Sequence, residues 1–115
     1  MRFAFMNNRD IQIIRYINKH YCELCEEMKL IPSFEVFQEG GPMVKAVKMD
    51  ILQIGENVNH LSNEAASQIN PKDLRGMADV RNYIAHGYIV IDDEIVWDVI
   101  QDKLPKLIDT INNIK

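Results

Sequence analysis

The residues best suited to chemistry lie in one segment in the second half of the chain, Leu74–Tyr88. Asp79, Asn82 and His86 recur at spacings of three and four, so a helix would place a carboxylate, an amide and an imidazole on one side. Histidine gains and loses a proton near neutral pH, which suits it to acid–base catalysis. Arg81 can bind a phosphate through two hydrogen bonds and stabilise negative charge in a transition state. The segment therefore indicates proton transfer beside an anion-binding arginine.

Arg81 belongs neither to the polar side of this helix nor fully to its apolar side. It lies between the apolar stripe and two small residues, Ala78 and Ala85, which permit close approach of another element. One interpretation is that Arg81 points into a groove or a dimer interface. The other is that its stem lies along apolar neighbours while its charge stays in water. The apolar stripe consists of Met77, Val80 and Ile84.

Arg81 and His86 do not share a face of an ideal helix, because five residues correspond to about 140° of rotation. Gly87 is typical of the position just after a helix end, so the helix can loosen there and let the long arginine reach the imidazole. Alternatively, the two side chains meet across a dimer seam. Tyr88 would point the same way as Arg81 only if the helix continued beyond Gly87.

The spacing of apolar residues predicts an all-α fold, an antiparallel bundle of four to five helices. Asn8 is a suitable N-cap for the first helix, and Ser33 for a short turn through Phe37. Pro105 interrupts the last helix, which we expect to kink or to restart with Asp102 as a new N-cap. Residues 89–91 read as a short extended segment. The four long predicted helices span residues 8–28, 42–68, 72–86 and 92–114.

Length and composition favour one globular domain covering residues 1–115. Apolar residues make up 47% and charged residues 26%, which is ordinary for a folded protein. The longest unbroken apolar stretch, residues 88–91, is far shorter than the roughly 20 residues that span a bilayer. No secretory signal is visible, so the cytoplasm is the expected location. The net charge of −4 argues against nucleic-acid binding by bulk electrostatics, but not against a few cations concentrated at a cleft.

The sequence predicts no metal site and no cofactor. Cys22 and Cys25 form a single C-x-x-C, which offers two ligands where a structural zinc needs four. The three histidines, His20, His60 and His86, have no metal-ligand spacing among them. A four-helix metal or haem carrier would need paired carboxylate and histidine ligands that the sequence does not present.

With its R-x4-H-x-Y pattern of Arg81, His86 and Tyr88, the chain resembles the HepT-like toxins of the HEPN superfamily. The resemblance covers nearly the whole chain. Residues 51–56 resemble the family's second helix, which contains I-G-E. Residues 92–97 and 102–105 resemble its last helix, which follows the motif after a short connection.

The resemblance implies an endoribonuclease that needs no metal. HepT-like proteins are toxins of type VII-like pairs, in which a small nucleotidyltransferase of the MntA type is the antitoxin. They are helical homodimers, with the motifs of two protomers facing each other across a cleft. The antitoxin can transfer AMP to the motif tyrosine, here Tyr88, and so block the RNA site with bulk and negative charge.

The residue types fit cleavage of RNA by its own 2′-hydroxyl. His86 would act as general acid and base, and Arg81 would stabilise the phosphate. Asn82 could hold the imidazole or the substrate, and Tyr88 could stack on a base or bind phosphate. A symmetric dimer would bring two copies of His86 together and supply the acid and the base that one chain lacks. RNA is the expected substrate, and no DNA is expected.

Three further residues have a supporting and an ordinary interpretation. Glu56 either hydrogen-bonds Arg81 from the facing helix or is a solvated helix glutamate. Asp79 either orients His86 or pairs with Arg75 on the helix surface. Arg75 either contacts phosphate at the cleft rim or is a surface charge. A second function class stays open as well: a non-catalytic HEPN helical binding module that scaffolds a nucleotidyltransferase, which the acidic charge favours.

Overall fold

A computed structural model describes residues 6–86 and 92–115, and within these ranges all regular elements are helical. The predicted all-α fold is therefore confirmed, although the described residues form seven α-helices rather than four or five. The predicted extended segment 89–91 lies outside the described residues. A π-helical turn, Val99–Lys103, connects the last two helices. The α-helices are α1 (Asn8–Met28), α2 (Phe34–Glu39), α3 (Pro42–Asn59), α4 (Asn63–Ala66), α5 (Pro71–His86), α6 (Asp93–Asp98) and α7 (Leu104–Asn112).

The helix α3 is the centre of the bundle, because it packs against α1 on one side and α5 on another. Residues near the start of α1 contact residues beyond the end of α3, and later residues of α1 contact earlier ones of α3. Asp10 contacts Ser62, whereas His20 contacts Asp50. The two helices are therefore antiparallel. Smaller contacts place α7 on α1 and α2 on α6. Within the part of the chain that the structure describes, no helix is both long and apolar enough to cross a membrane. The most deeply buried side chains include Ile17, Leu24, Phe37, Val47, Ile51, Ile54, Leu104 and Ile111.

The predicted helix over residues 42–68 is correct as far as Asn59 but wrong beyond it, because the chain turns between Asn59 and Asn63. Asp10, which is 2% exposed, fixes this turn from α1. Its carboxylate accepts hydrogen bonds from the Ser62 backbone N–H at 2.9 Å and from the Ser62 hydroxyl at 2.6 Å. The Ser62 Oγ in turn accepts from the N–H of Ala65 at 3.2 Å and caps α4. A buried carboxylate requires such donors, so the turn and the charge stabilise each other.

Two predicted helix caps are also corrected. The N-cap of α1 is Asn7, whose Oδ1 accepts from the Asp10 N–H at 2.7 Å, and Asn8 is the first helical residue. Asp102 does not cap a new helix but pairs with Lys106 at 3.0 Å. The chain instead enters Pro105 through the π-helical turn, in which the Leu104 N–H donates to the carbonyl five residues before it. The wider turn accommodates a proline that has no N–H of its own to donate. The predicted Ser33 cap of α2 is confirmed.

Candidate functional site

The helices α3 and α5 approach closely where Gly55 faces Arg81. A Cβ atom built on Gly55 would lie 2.8 Å from the Cβ of Arg81 and 3.0 Å from its Cγ. Contacts that short do not occur between real side chains, so a residue larger than glycine would push the helices apart or displace Arg81. The missing side chain of Gly55 thus lets the stem of Arg81 lie directly on the backbone of α3.

Two side chains hold the Arg81 guanidinium at this crossing. Its Nε and Nη2 both contact Oε1 of Glu56, the residue after Gly55 on α3. Its Nη1 donates to Oδ1 of Asn82 at 2.8 Å. The side chains of Arg81 and Glu56 are 33% and 32% exposed, so solvent screens the pair and its contribution to stability is small, about 0–1 kcal/mol. Its main effect is to fix the position of the guanidinium.

Arg81 and Asn82 border a cleft of about 400 Å³ between α3 and α5, and residues of α4 also line it. The apolar part of its wall is formed by Val58, Leu74 and Met77. Asn59 and Asn63 add amide groups near α4. The cleft therefore combines apolar walls with a positioned cation and several hydrogen-bonding groups, the usual composition of a ligand-binding site.

The other residues of α5 that the sequence singles out lie on different sides of this helix. The buried stripe is as predicted, with Met77 and Val80 in the core and Ile84 packed against it. His86 is exposed and is the last residue of α5.

Asp79 and Arg75 do not join Arg81 in this cleft. Asp79 lines a second groove, of about 550 Å³, between α5 and the segment from α6 to α7. Arg75 is exposed, and none of the ion pairs among the described residues joins it to Asp79. Tyr88 and Gly87 lie outside the residues that the structure describes. A role of Asp79 in orienting His86, and of Arg75 at a cleft rim, stays a prediction.

Most of the chain, including this crossing, matches one family of known proteins. A family model described as "Ribonuclease HepT-like" matches residues 18–114, which include Glu56, Arg81 and the rest of α5. The chain belongs to the HepT-like ribonuclease family. The resemblance stated from the sequence is thereby confirmed, and the family supports ribonuclease activity as the general function.

Two curated relatives of this HepT-like chain bear the name "Putative RNase". One, from Methanocaldococcus jannaschii, is 29% identical over 115 residues, which cover 95% of this chain and 90% of the relative. The other, from Caldanaerobacter subterraneus subsp. tengcongensis, is 30% identical over 87 residues, covering 75% of this chain and 77% of the relative. No solved structure gives a significant match.

Two residues that line the cleft of this HepT-like chain were not predicted from the sequence to lie there. The predicted long helix placed Asn59 and Asn63 in one continuous element, whereas the turn at Ser62 brings both amides to the cleft. A local signal was present: Ser62 is a good N-cap residue, and Glu64 follows it in the first turn of α4. The carboxylate that completes the turn comes from α1 and leaves no such local trace.

Proposed function

We propose that this HepT-like protein is a metal-independent endoribonuclease toxin, with His86 as general acid and base and Arg81 stabilising the phosphate. The observation that carries the proposal is the Arg81 guanidinium, held by Glu56 and Asn82 at the mouth of a cleft on the helix that ends at His86. A guanidinium fixed before the substrate arrives needs no reorganisation when charge develops on a phosphate, which makes its stabilisation effective.

The hydrogen bonds of Arg81 leave donors for a substrate. An arginine has five N–H groups. Nε and one N–H of Nη2 are directed at Glu56, and one N–H of Nη1 is directed at Asn82. Each terminal nitrogen therefore keeps a further N–H, a pair that suits two oxygens of one phosphate. In this proposal, Glu56 is a positioning residue that orients Arg81 and does not touch the substrate.

The proposed reaction uses the 2′-hydroxyl of RNA as the nucleophile. A base removes the hydroxyl proton, the oxygen attacks the adjacent phosphorus, and the bond from phosphorus to the 5′-oxygen breaks as an acid protonates the leaving oxygen. The products would carry a 2′,3′-cyclic phosphate and a 5′-hydroxyl. One imidazole cannot act as base and acid in the same step. We therefore propose a homodimer in which His86 of each protomer faces one cleft, and the exposed position of His86 at the end of α5 permits this.

Regulation is proposed to occur at Tyr88. The proposal rests on the position of Tyr88, two residues after His86 in the motif, and on membership of the HepT-like family. A nucleotidyltransferase antitoxin of the MntA type would transfer AMP to the tyrosine hydroxyl. The added phosphate would compete with RNA for Arg81 and would repel the RNA backbone. We propose that the pair acts in the cytoplasm.

Cleavage of total RNA by chelator-treated protein tests the proposal. We expect cleavage by the wild type to survive chelation and to fall at least 100-fold in His86→Ala, because the proton-transfer group is lost. His60→Ala is the matched control, since His60 is an exposed histidine at the end of α3, outside the cleft, and should leave cleavage unchanged. Intact mass of each sample shows whether the chain carries AMP.

Absence of cleavage by protein of unmodified mass would overturn the proposal. It would favour the second function class, a non-catalytic helical module that scaffolds a nucleotidyltransferase. The net charge of −4 is the observation that favours this alternative, because an acidic surface repels RNA outside a focused site.

A further inference from the structure

A cluster of ionisable side chains joins α1 to α3, apart from the Arg81 cleft. His20 Nδ1 lies 3.0 Å from Oδ1 of Asp50 and 3.7 Å from Oε2 of Glu23. One ligand atom from each of the three residues lies within 4.8 Å of the others. Asp50 faces α1 through this contact, whereas Gly55 and Glu56 of the same helix face α5. The cluster therefore belongs to the seam between α1 and α3.

Two buried carboxylate oxygens at this seam, one of them in the cluster, have no hydrogen-bond partner among the described residues. One is Oδ2 of Asp50, a residue that is only 6% exposed, and the other is Oε1 of Glu27. The carboxyl groups of Glu23, Glu27 and Asp50 are neighbours at this seam. Buried acceptors without donors are unfavourable, and neighbouring carboxylates repel one another. A cation would relieve both conditions.

We propose that His20, Glu23 and Asp50 bind a divalent transition-metal ion. Ligand atoms around a tetrahedral Zn²⁺ are about 3.4 Å apart, since each lies about 2.1 Å from the metal. The distances of 3.0 and 3.7 Å from His20 Nδ1 bracket that spacing. One imidazole with carboxylates suits Zn²⁺ better than Mg²⁺, which prefers oxygen ligands alone.

The ion would clamp α1 to α3 and act on stability rather than on the chemistry of phosphate. His20, Glu23 and Glu27 occupy one face of α1 at helical spacing, and Asp50 approaches them from α3. The sequence prediction of no metal site missed this arrangement, because Asp50 lies 30 residues from His20 along the chain. The cysteines on α1 are not part of it.

Zinc binding by chelator-treated full-length protein tests the proposal. The protein would carry Cys22→Ser and Cys25→Ser, so that thiols on the same helix cannot bind the probe. Competition with a chromogenic chelator should show one Zn²⁺ per chain. The melting temperature should rise by about 5 °C when free Zn²⁺ is about ten times its dissociation constant, and equal Mg²⁺ should have no effect.

Three variants and one matched control locate the site. His20→Gln and Asp50→Asn should weaken Zn²⁺ binding at least tenfold, whereas His60→Gln, at an exposed histidine near the end of α3, should not. Glu23→Gln should also weaken binding, and this exposed position allows the change without loss of fold. Circular dichroism at the assay temperature establishes that each variant is folded. Absence of stoichiometric binding by the folded parent protein, or undiminished binding in His20→Gln and Glu23→Gln, would overturn the proposal.

Discussion

Substitution of Gly55 by alanine tests most directly whether the close approach of α3 to Arg81 requires a glycine. The new Cβ would meet the Cβ of Arg81 at 2.8 Å, its Cγ at 3.0 Å and the end of Met77 at 3.5 Å. Two of these contacts involve the stem of Arg81 close to its backbone, where the side chain has little freedom to move. Overpacking of this kind costs about 1–3 kcal/mol, so we take about 2 kcal/mol as the steric penalty.

A second effect of the substitution acts in the opposite direction. Alanine in a helix interior is more favourable than glycine by about 1 kcal/mol. The net loss in Gly55→Ala is therefore expected to be about 1 kcal/mol. Gly76 provides the matched control, because it is an exposed glycine in α5 with nothing within 4 Å of the position that a Cβ would occupy. Gly76→Ala should gain about 1 kcal/mol, so the difference between the two variants isolates the steric term of about 2 kcal/mol.

Urea denaturation measures this difference, and RNA cleavage measures its consequence for the site. Displacement of Arg81 from Glu56 should lower cleavage by Gly55→Ala about 10- to 100-fold, because an anchor moved by about 1 Å loses much of its effect. Gly76→Ala should cleave like the wild type. Equal free energies of unfolding in the two variants, together with unchanged cleavage by Gly55→Ala, would refute the close approach as the reason for a glycine at this position.

Three further substitutions test other parts of the structure. Asp10→Ala removes both hydrogen bonds to the turn after α3 and should lower the free energy of unfolding by about 3 kcal/mol, measured in urea. Asp109→Ala, at an exposed position of α7, should change the free energy of unfolding by less than about 0.5 kcal/mol. Equal effects of the two substitutions would contradict the role of Asp10 in fixing the turn after α3. Arg81→Lys keeps the positive charge but loses the planar guanidinium that donates two parallel hydrogen bonds, so RNA cleavage should fall at least about tenfold. Arg15→Lys, on the exposed face of α1, should not alter cleavage. Glu56→Gln keeps an acceptor for Arg81, so cleavage should fall less than in Glu56→Ala; the reverse order would show that Glu56 does not act by positioning the arginine.

Much of the helical framework could be predicted from the sequence because its determinants are local. The bounds of α1 and the end of α5 follow from apolar spacing at three and four residues and from residues that end helices. The Ser33 cap of α2 depends on a side chain three residues from the N–H it accepts. The burial of Met77 and Val80 follows from their positions around one helix. Arg81 could be singled out for the same reason, since it lies beside that apolar stripe.

Only the tertiary structure decided the features that join residues distant in sequence. The turn after α3 depends on Asp10, which lies 52 residues before Ser62. The close approach of α3 to Arg81 depends on Gly55 and on Glu56, and Glu56 lies 25 residues before Arg81. Likewise, neither α1 nor α3 alone carries a sequence pattern that predicts the contact between His20 and Asp50. Local spacing determines which side of a helix a residue occupies, but the partner on that side is determined by how the helices pack.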